Sequence, residues 1–495
     1  ATANGSITAN EAIIVEADGK VAGVTGYTAS LGTEQEYYND TPRVFACDFD
    51  STTGKLIVVY STDANQNQLY AKVGTISGNS VSYGSAVAIS DTSNTNASYE
   101  YALSMACGNG KVVVCFTQSG TGPNMYARAG TISGTSITFG TVITMQSGAT
   151  NGSSAICYDS DKDKFVALVS NDDSGNQCES QIFTVSGSNT ITVADQGRVL
   201  SASGDESNFL NIIYVPQQTA YYAIYVAGKG EDPNTGHAGS GYAKGVVGTI
   251  NGAGSQLTWG TPATLGTDNK NNIAMCYVPS TQQVAVAYLD RYSSYRLESL
   301  VCVVNWTNKT SSIGNYHVIE SSGNSSYKPT ISSLSDTEPT VLCAYKYSPG
   351  LVNNIGTITS GNASISWAGR QTVDSSGDVR VGGSWGKFNM PKVGPGKFAI
   401  VARDQSNTKG WVILQQFAAT DLTSENFIGF AAAGYSNGDT ATVKVTGNTT
   451  TGSSLTPGQK YFVQQDGTIA LTADSPSVTA GRALTSTSLL INTGD

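Results

Sequence analysis

A chain of 495 residues with 55 glycines and only 13% charged residues is built for many short strands and tight turns, not for long helices. Its net charge of -10 and isoelectric point near 4.8 exclude a basic nucleic-acid footprint, and no apolar run reaches membrane-spanning length. The chain begins at Ala1 without a Met or a signal-like segment, so it is expected to be processed or cut from something longer.

Residues 6–22, SITANEAIIVEADGKVA, place Asp-Gly between alternating apolar residues, which predicts a hairpin. Residues 27–37, YTASLGTEQEY, predict a strand with no local partner. A four-strand pattern then begins. RVFACDF and KLIVVYS are joined by the turn DSTTGK. LYAKVGTI follows a longer loop, and SVSYGSAVAI follows the tight turn SGN. Short strands with these turn signals predict an antiparallel four-stranded sheet, the blade of a propeller.

The pattern recurs. VGTISGNSVSYGSAVAIS at 73–90 returns as AGTISGTSITFGTVITMQ at 129–146. Equivalents of the Ile in GTI are Ile76, Ile132, Val185, Ile250, Trp306 and Ile358, spaced by 56, 53, 65, 56 and 52 residues. Second strands KVVVCFT, KFVALVS, AYYAIYV, QVAVAYL, TVLCAYK and KFAIVAR follow KLIVVYS. The last repeat, from Met390 to Phe417, supplies strands one to three and no fourth. Residues 27–37 align with TSITFGTVITM at 135–145, Gly32 falling on Gly140. They are therefore expected to complete the last blade, which would remove an open sheet edge. The C-terminal stretch 454–470, SLTPGQKYFVQQDGTIA, matches residues 6–22 in its Asp-Gly offset. The predicted fold is all-β: a seven-bladed β-propeller over 26–420 closed by an N-terminal strand, plus a small β domain formed by 1–25 packing with 421–495.

Six of the eight cysteines sit at repeat positions. Cys47, Cys107, Cys157 and Cys276 are placed at one, Cys115 and Cys343 at a second. Equivalent positions in different repeats are too far apart to bond, so all eight are expected to be buried free thiols, the first four on strands near the ring centre, assembled in a reducing cytoplasm.

The C-terminal run LTPGQKYFVQQDGTIALTADSPSVTAGRALTSTSLLIN resembles modules at the ends of structural proteins of tailed bacteriophages of marine and cyanobacterial type. The repeats, with YDSDKDKFVAL and later GTI-SG and TFGT, resemble propeller repeats of such virion proteins. The resemblance implies a tail, fibre, nozzle or head-appendage protein in the virion, assembled in the host cytoplasm, with other virion proteins as partners. It implies no catalytic residues.

The residues give little chemistry to set beside that. The two histidines, His237 in a loop and His317 in a strand, are too few for a His-rich metal site, and neither is placed as a catalytic base. Glycoside hydrolysis needs two carboxyl groups flanking one bond. Asp159, Asp161 and Asp163 in YDSDKDK read as turn residues, and Asp172 with Asp173 as a loop pair. DSSGDVRVGGSW at 374–385 only faintly echoes a sialidase turn. DSDKDK lacks the glycine of a calcium loop, and Lys162 and Lys164 intrude. No cofactor and no metal are expected.

Strand direction places the turns after strands one and three on one face and the longer loops on the other. Those loops are 61–68, 117–124, 171–177, 227–241 and 290–296. The candidate binding residues are Arg291, Tyr292, Tyr295 and Arg296, suited to stacking on a glycan, and Asp232 and His237 in the long insert. Tyr83, Phe139, Trp259 and Trp367 recur at one repeat position and read as packing residues. The leading expectation is a non-enzymatic virion protein displaying a host- or glycan-attachment surface, with further copies of the chain beside it on the particle. A purely architectural component is the alternative, and a polysaccharide-active hydrolase comes third.

Overall fold

A computed structural model of the chain describes residues 1–4, 7–24, 27–40, 42, 44–62, 68–90, 103–118, 124–147, 153–171, 177–200, 208–227, 242–266, 270–290, 296–321, 329–347, 350–359, 364–368, 370–374, 379–380, 390–404, 409–419, 422–436, 438–464, 467–473 and 477–493. They form antiparallel sheets in two compact units, Leu31–Gln415 and Ala1–Ser30 with Gln416–Asp495. The fold is all-β and propeller-like. No helix among the described residues is long and apolar enough to cross a membrane.

In the larger unit the first sheet shows how sequence becomes structure. Phe45–Asp50 and Lys55–Ser61 pair across a four-residue turn, Leu69–Ser77 pairs on the far side, and Ser80–Tyr83 forms the outer strand. Lys55–Ser61 reads as a nearly continuous apolar run because it is covered on both faces: Leu56, Ile57, Val58 and Val59 are all buried. The same order of four strands recurs in sheets beginning at Ser104–Gly108, Ser154–Asp159, Asn208–Val215, Lys270–Val278 and Thr330–Ser333. A last sheet contains Lys392–Gly394, Lys397–Asp404 and Lys409–Ala419. Against Lys409–Ala419 lie Tyr27–Leu31 and Gln35–Tyr38.

Apolar layers join neighbouring sheets. Val44, Ala46 and Ile57 pack with Met105 and Val112, and Tyr222 and Ile224 pack with Met275 and Val284. Val393, Ala399 and Val412 of the last sheet pack with Leu56 and Val58 of the first. One backbone bond recurs where the outer strand leaves the third. Gly84 N–H donates to Val73 O (3.0 Å), Gly140 to Ala129 (2.9 Å), Gly260 to Val247 (2.8 Å), Gly314 to Val301 (2.8 Å), and Gly32 to Leu414 (2.7 Å). A Cβ on Gly32 would stand 2.1 Å from Asn79 O in the first sheet. On Gly84, Gly140 and Gly260 it would meet Thr135 O, Asn189 O and Lys309 O just as closely.

The cysteines are free and all but Cys276 are buried, but their facing differs from the expected single repeat position. Cys47 and Cys107 pack toward the preceding sheet, Cys157 and Cys276 toward the following one. Hairpin register is the cause. The last paired residues before the turn are Asp50, Gly108, Asp159 and Val278, so Cys47 and Cys107 lie an odd number of residues before them and Cys157 and Cys276 an even number. Side chains alternate faces along a strand, so an odd offset reverses the facing. Cys115 and Cys343 likewise face opposite ways.

In the smaller unit the Ala12–Val15 and Val21–Gly23 hairpin pairs with Phe427–Ala431, which pairs with Val443–Lys444. A second sheet holds Thr449–Thr451, Ser488–Ile491, Val478–Thr485, Lys460–Val463 and Ile469–Ala470. Ala12, Ile14, Phe427 and Phe430 share one core with Tyr461, Val463, Val478 and Leu489.

Candidate functional site

Arg291, Tyr292, Tyr295, Asp232 and His237 lie outside the described residues, as do the centres of the five longer loops. Arg296 is described. It opens the third strand of its sheet, opposite Asp290, and its guanidinium pairs with the buried Glu298 carboxylate at 2.9 Å. Tyr288 O–H donates to the same carboxylate at 3.1 Å, and Lys270 Nζ stands 4.0 Å over the Tyr288 ring. Burial holds Glu298 above the usual carboxylate range, against the pull of the Tyr288 hydroxyl and the Arg296 charge.

The residues set aside as structural have structural partners. Asp159 Oδ1 accepts the N–H groups of Asp161 and Lys162, both at 2.9 Å, and Asp159 Oδ2 accepts the Tyr221 hydroxyl. Asp163 accepts the Tyr158 hydroxyl at 2.8 Å and has φ of +51°, a turn conformation that Asp tolerates. No group of three His, Cys, Asp or Glu among the described residues is placed to hold a metal ion. Tyr83, Phe139, Trp259 and Trp367 lie directly across from Gly74, Gly130, Gly248 and Gly356, each ring covering a glycine. Trp259 Nε1 donates to Ser180 Oγ at 3.0 Å and Trp367 Nε1 to Ser299 Oγ at 2.8 Å, tying each outer strand to the preceding sheet. His317 is exposed on its strand.

The first strands of the sheets leave between them a cavity of about 540 Å3 that the sequence reading did not foresee. Cys47, Cys107, Cys157 and Cys276 line it. Asp48 is the one carboxylate and Lys392 the one ammonium among its described lining residues. Asp48 Oδ2 accepts Cys107 N–H at 2.7 Å and Oδ1 accepts Phe49 N–H at 2.8 Å, so the carboxylate staples the first two sheets. Burial pushes its pKa up to about 6, against the pull of those two N–H groups, and the nearby Asp50 adds to the rise. Lys392 Nζ is paired outward with Asp336 at 2.8 Å. The cavity has room for a small polar molecule, and among its described lining residues Asp48 has no second carboxylate opposite it. The available signal was an Asp after Cys47 where the other repeats carry Gly108, Tyr158 and Tyr277.

No family model and no curated protein matches the chain. Among solved structures it is similar to a Lactobacillus plantarum protein, at 10% identity and a TM-score of 0.45, over 72% of this chain and 94% of that one. It is also similar to AofleA from Arthrobotrys oligospora, at 10% identity and a TM-score of 0.40, over 74% and 92%. A protein of unknown function from Dyadobacter fermentans aligns at 11% identity and a TM-score of 0.39, over 70% and 98%.

Proposed function

We propose that the chain is a non-enzymatic structural protein of a tailed bacteriophage particle. In this reading the larger unit is a seven-bladed propeller closed by the N-terminal strand near Gly32, and its loop-bearing face makes host- or glycan-attachment contacts. The observation that carries the closed ring is the Gly32 to Leu414 bond, which repeats the bonds of Gly84, Gly140, Gly260 and Gly314 at the far end of the chain. A closed ring removes its sheet edges and holds its loops on a rigid frame, which suits display more than turnover. The virion assignment rests on the resemblance of the C-terminal run and the repeats. Each loop contact would be weak, so adhesion would come from many copies on one particle.

The experiment deletes residues 230–240 and changes Tyr292→Ala and Tyr295→Ala in the particle-borne protein. Adsorption to host cells is expected to fall at least tenfold while the far-UV spectrum of the purified variant is unchanged. Unchanged adsorption with an intact fold would replace attachment by the architectural reading.

A further inference from the structure

The two hairpin-bearing sheets of the smaller unit share one four-strand arrangement. Their strand orders coincide: Val21–Gly23, Ala12–Val15, Phe427–Ala431, Val443–Lys444 in one, and Ile469–Ala470, Lys460–Val463, Val478–Thr485, Ser488–Ile491 in the other. Their registers coincide residue by residue. Ile14 faces Ala22 and Val15 faces Val21, as Phe462 faces Ala470 and Val463 faces Ile469. Ile13 faces Gly429 beside a bulge, as Tyr461 faces Gly481 beside a bulge.

The irregular features repeat as well, and these are the harder to obtain by chance. Gly429 has φ of +142° and a Cβ there would stand 2.0 Å from Lys444 O; Gly481 has φ of +150° and would meet Leu490 O at the same 2.0 Å. Asn10, at φ +65°, donates its N–H to Ala431 O, and Gly458, at φ +81°, donates to Ala483 O. Glu16 N–H bonds Lys20 O at 2.9 Å around the first hairpin turn, and Gln464 N–H bonds Thr468 O at 2.8 Å around the second. A bulge glycine whose Cβ position is filled by a backbone oxygen is a specific device, and the two sheets use it at the same place.

The sheets differ in that the second carries a fifth strand, Thr449–Thr451, beside Ser488–Ile491, and turns Tyr461 and Val463 into the shared core where the first turns Ala12 and Ile14. Their connections differ as well. In the second copy the two hairpins are joined by residues 471–477. In the first they are separated by residues 24–426, which contain the whole larger unit. The ends of that insertion are adjacent, since Tyr27–Leu31 pairs with Lys409–Ala419. A guest with neighbouring ends can enter a surface loop without parting the host strands. We infer that the smaller unit is a tandem duplication of one four-stranded module, that the larger unit is a guest inserted between the hairpins of the first copy, and that residues 471–477 are the equivalent acceptor loop of the second. The smaller unit is then the carrier and the larger unit its cargo, whatever the cargo binds.

The test uses the full chain and hydrogen exchange read by mass spectrometry. One variant, Gly481→Val, strains the second copy. The other replaces residues 474–476 with a compact foreign domain whose ends are adjacent. In Gly481→Val, peptides covering 12–23 are expected to exchange more than tenfold faster, together with those covering 427–444 and 460–491. Peptides covering 111–118 and 283–290 keep their wild-type rates. In the insertion variant, peptides covering 460–463 and 478–491 are expected to stay within twofold of wild type. The inference is overturned if residues 12–23 exchange with the strands of the larger unit, or if Gly481→Val deprotects the whole chain. It is equally overturned if the insertion deprotects both flanking hairpins, and that arm decides alone should Gly481→Val be silent.

Discussion

Burial leaves the Asp48 carboxyl with a pKa of about 6 in the folded chain, raised from 3.8. The folded state therefore holds a proton that the unfolded state has already lost between about pH 4 and pH 6, and stability falls as pH rises through that window. A rise from 3.8 to about 6 corresponds to at most about 3 kcal/mol. Asp48→Asn, uncharged at every pH, is expected to gain on the wild type by up to that amount between pH 4 and pH 7. Urea unfolding at each pH reads the difference, and a pH-independent gap would show that the carboxylate is not penalised. The thiols make a second prediction at this scale. Burial pushes Cys115 and Cys302 up to about 12 and raises Cys47, Cys107 and Cys157 well above the usual thiol range. Native protein is expected to react with at most one equivalent of a thiol reagent, at the less buried Cys276, and denatured, unreduced protein with all eight. A native count above two would mean that the sheets open. The cysteines were legible as buried thiols because apolar neighbours surround them in the sequence. Their facing was not, because it depends on how many residues each hairpin turn consumes.

At the scale of the element, the glycine that ends each four-strand motif can be used to test the proposed closing strand. A side chain on Gly32 has no room against Asn79 O, just as one on Gly140 has none against Asn189 O. Gly32→Val and Gly140→Val are each expected to destabilise the larger unit by about 2 kcal/mol through overpacking. Denaturant titration followed by tryptophan fluorescence measures both. A Gly32→Val change within about 0.5 kcal/mol of zero, beside a costly Gly140→Val, would remove residues 27–37 from the proposed ring; that threshold is about the usual scatter of surface substitutions. Strands and turns were legible here because KLIVVYS and its counterparts are apolar runs bounded by Gly, Asn and Asp. The hairpins Ala12–Val15 with Val21–Gly23 and Lys460–Val463 with Ile469–Ala470 were legible from the Asp-Gly pairs in the sequence for the same reason. The partner hairpins were not: Phe427–Ala431 and Val478–Thr485 share the bulge glycine and little else, and only pairing register reveals them as equivalents.

For the whole molecule, the central cavity was out of reach of the sequence because its lining converges from first strands scattered between Ala46 and Lys392, which no local pattern brings together. The division into units gives the last prediction. All five tryptophans, at 259, 306, 367, 385 and 411, belong to the larger unit, and the smaller unit has none. Tryptophan fluorescence therefore reports one unit, while far-UV circular dichroism reports both. The larger unit joins strands from opposite ends of its own sequence, so its ordering must close a very long loop and is expected to be slow. The smaller unit contains no such span once its two ends are held together by the folded guest. Denaturant unfolding is thus expected to give a single fluorescence transition and a circular dichroism curve with a second step of smaller amplitude. On refolding, the fluorescence phase should come no later than recovery of the Ala12–Val15 strand, because that strand needs Phe427–Ala431 brought back across the whole insertion. Superimposable curves by both probes, at every denaturant concentration and in Gly481→Val as well as the wild type, would mean one cooperative block, and carrier and cargo would not be separable.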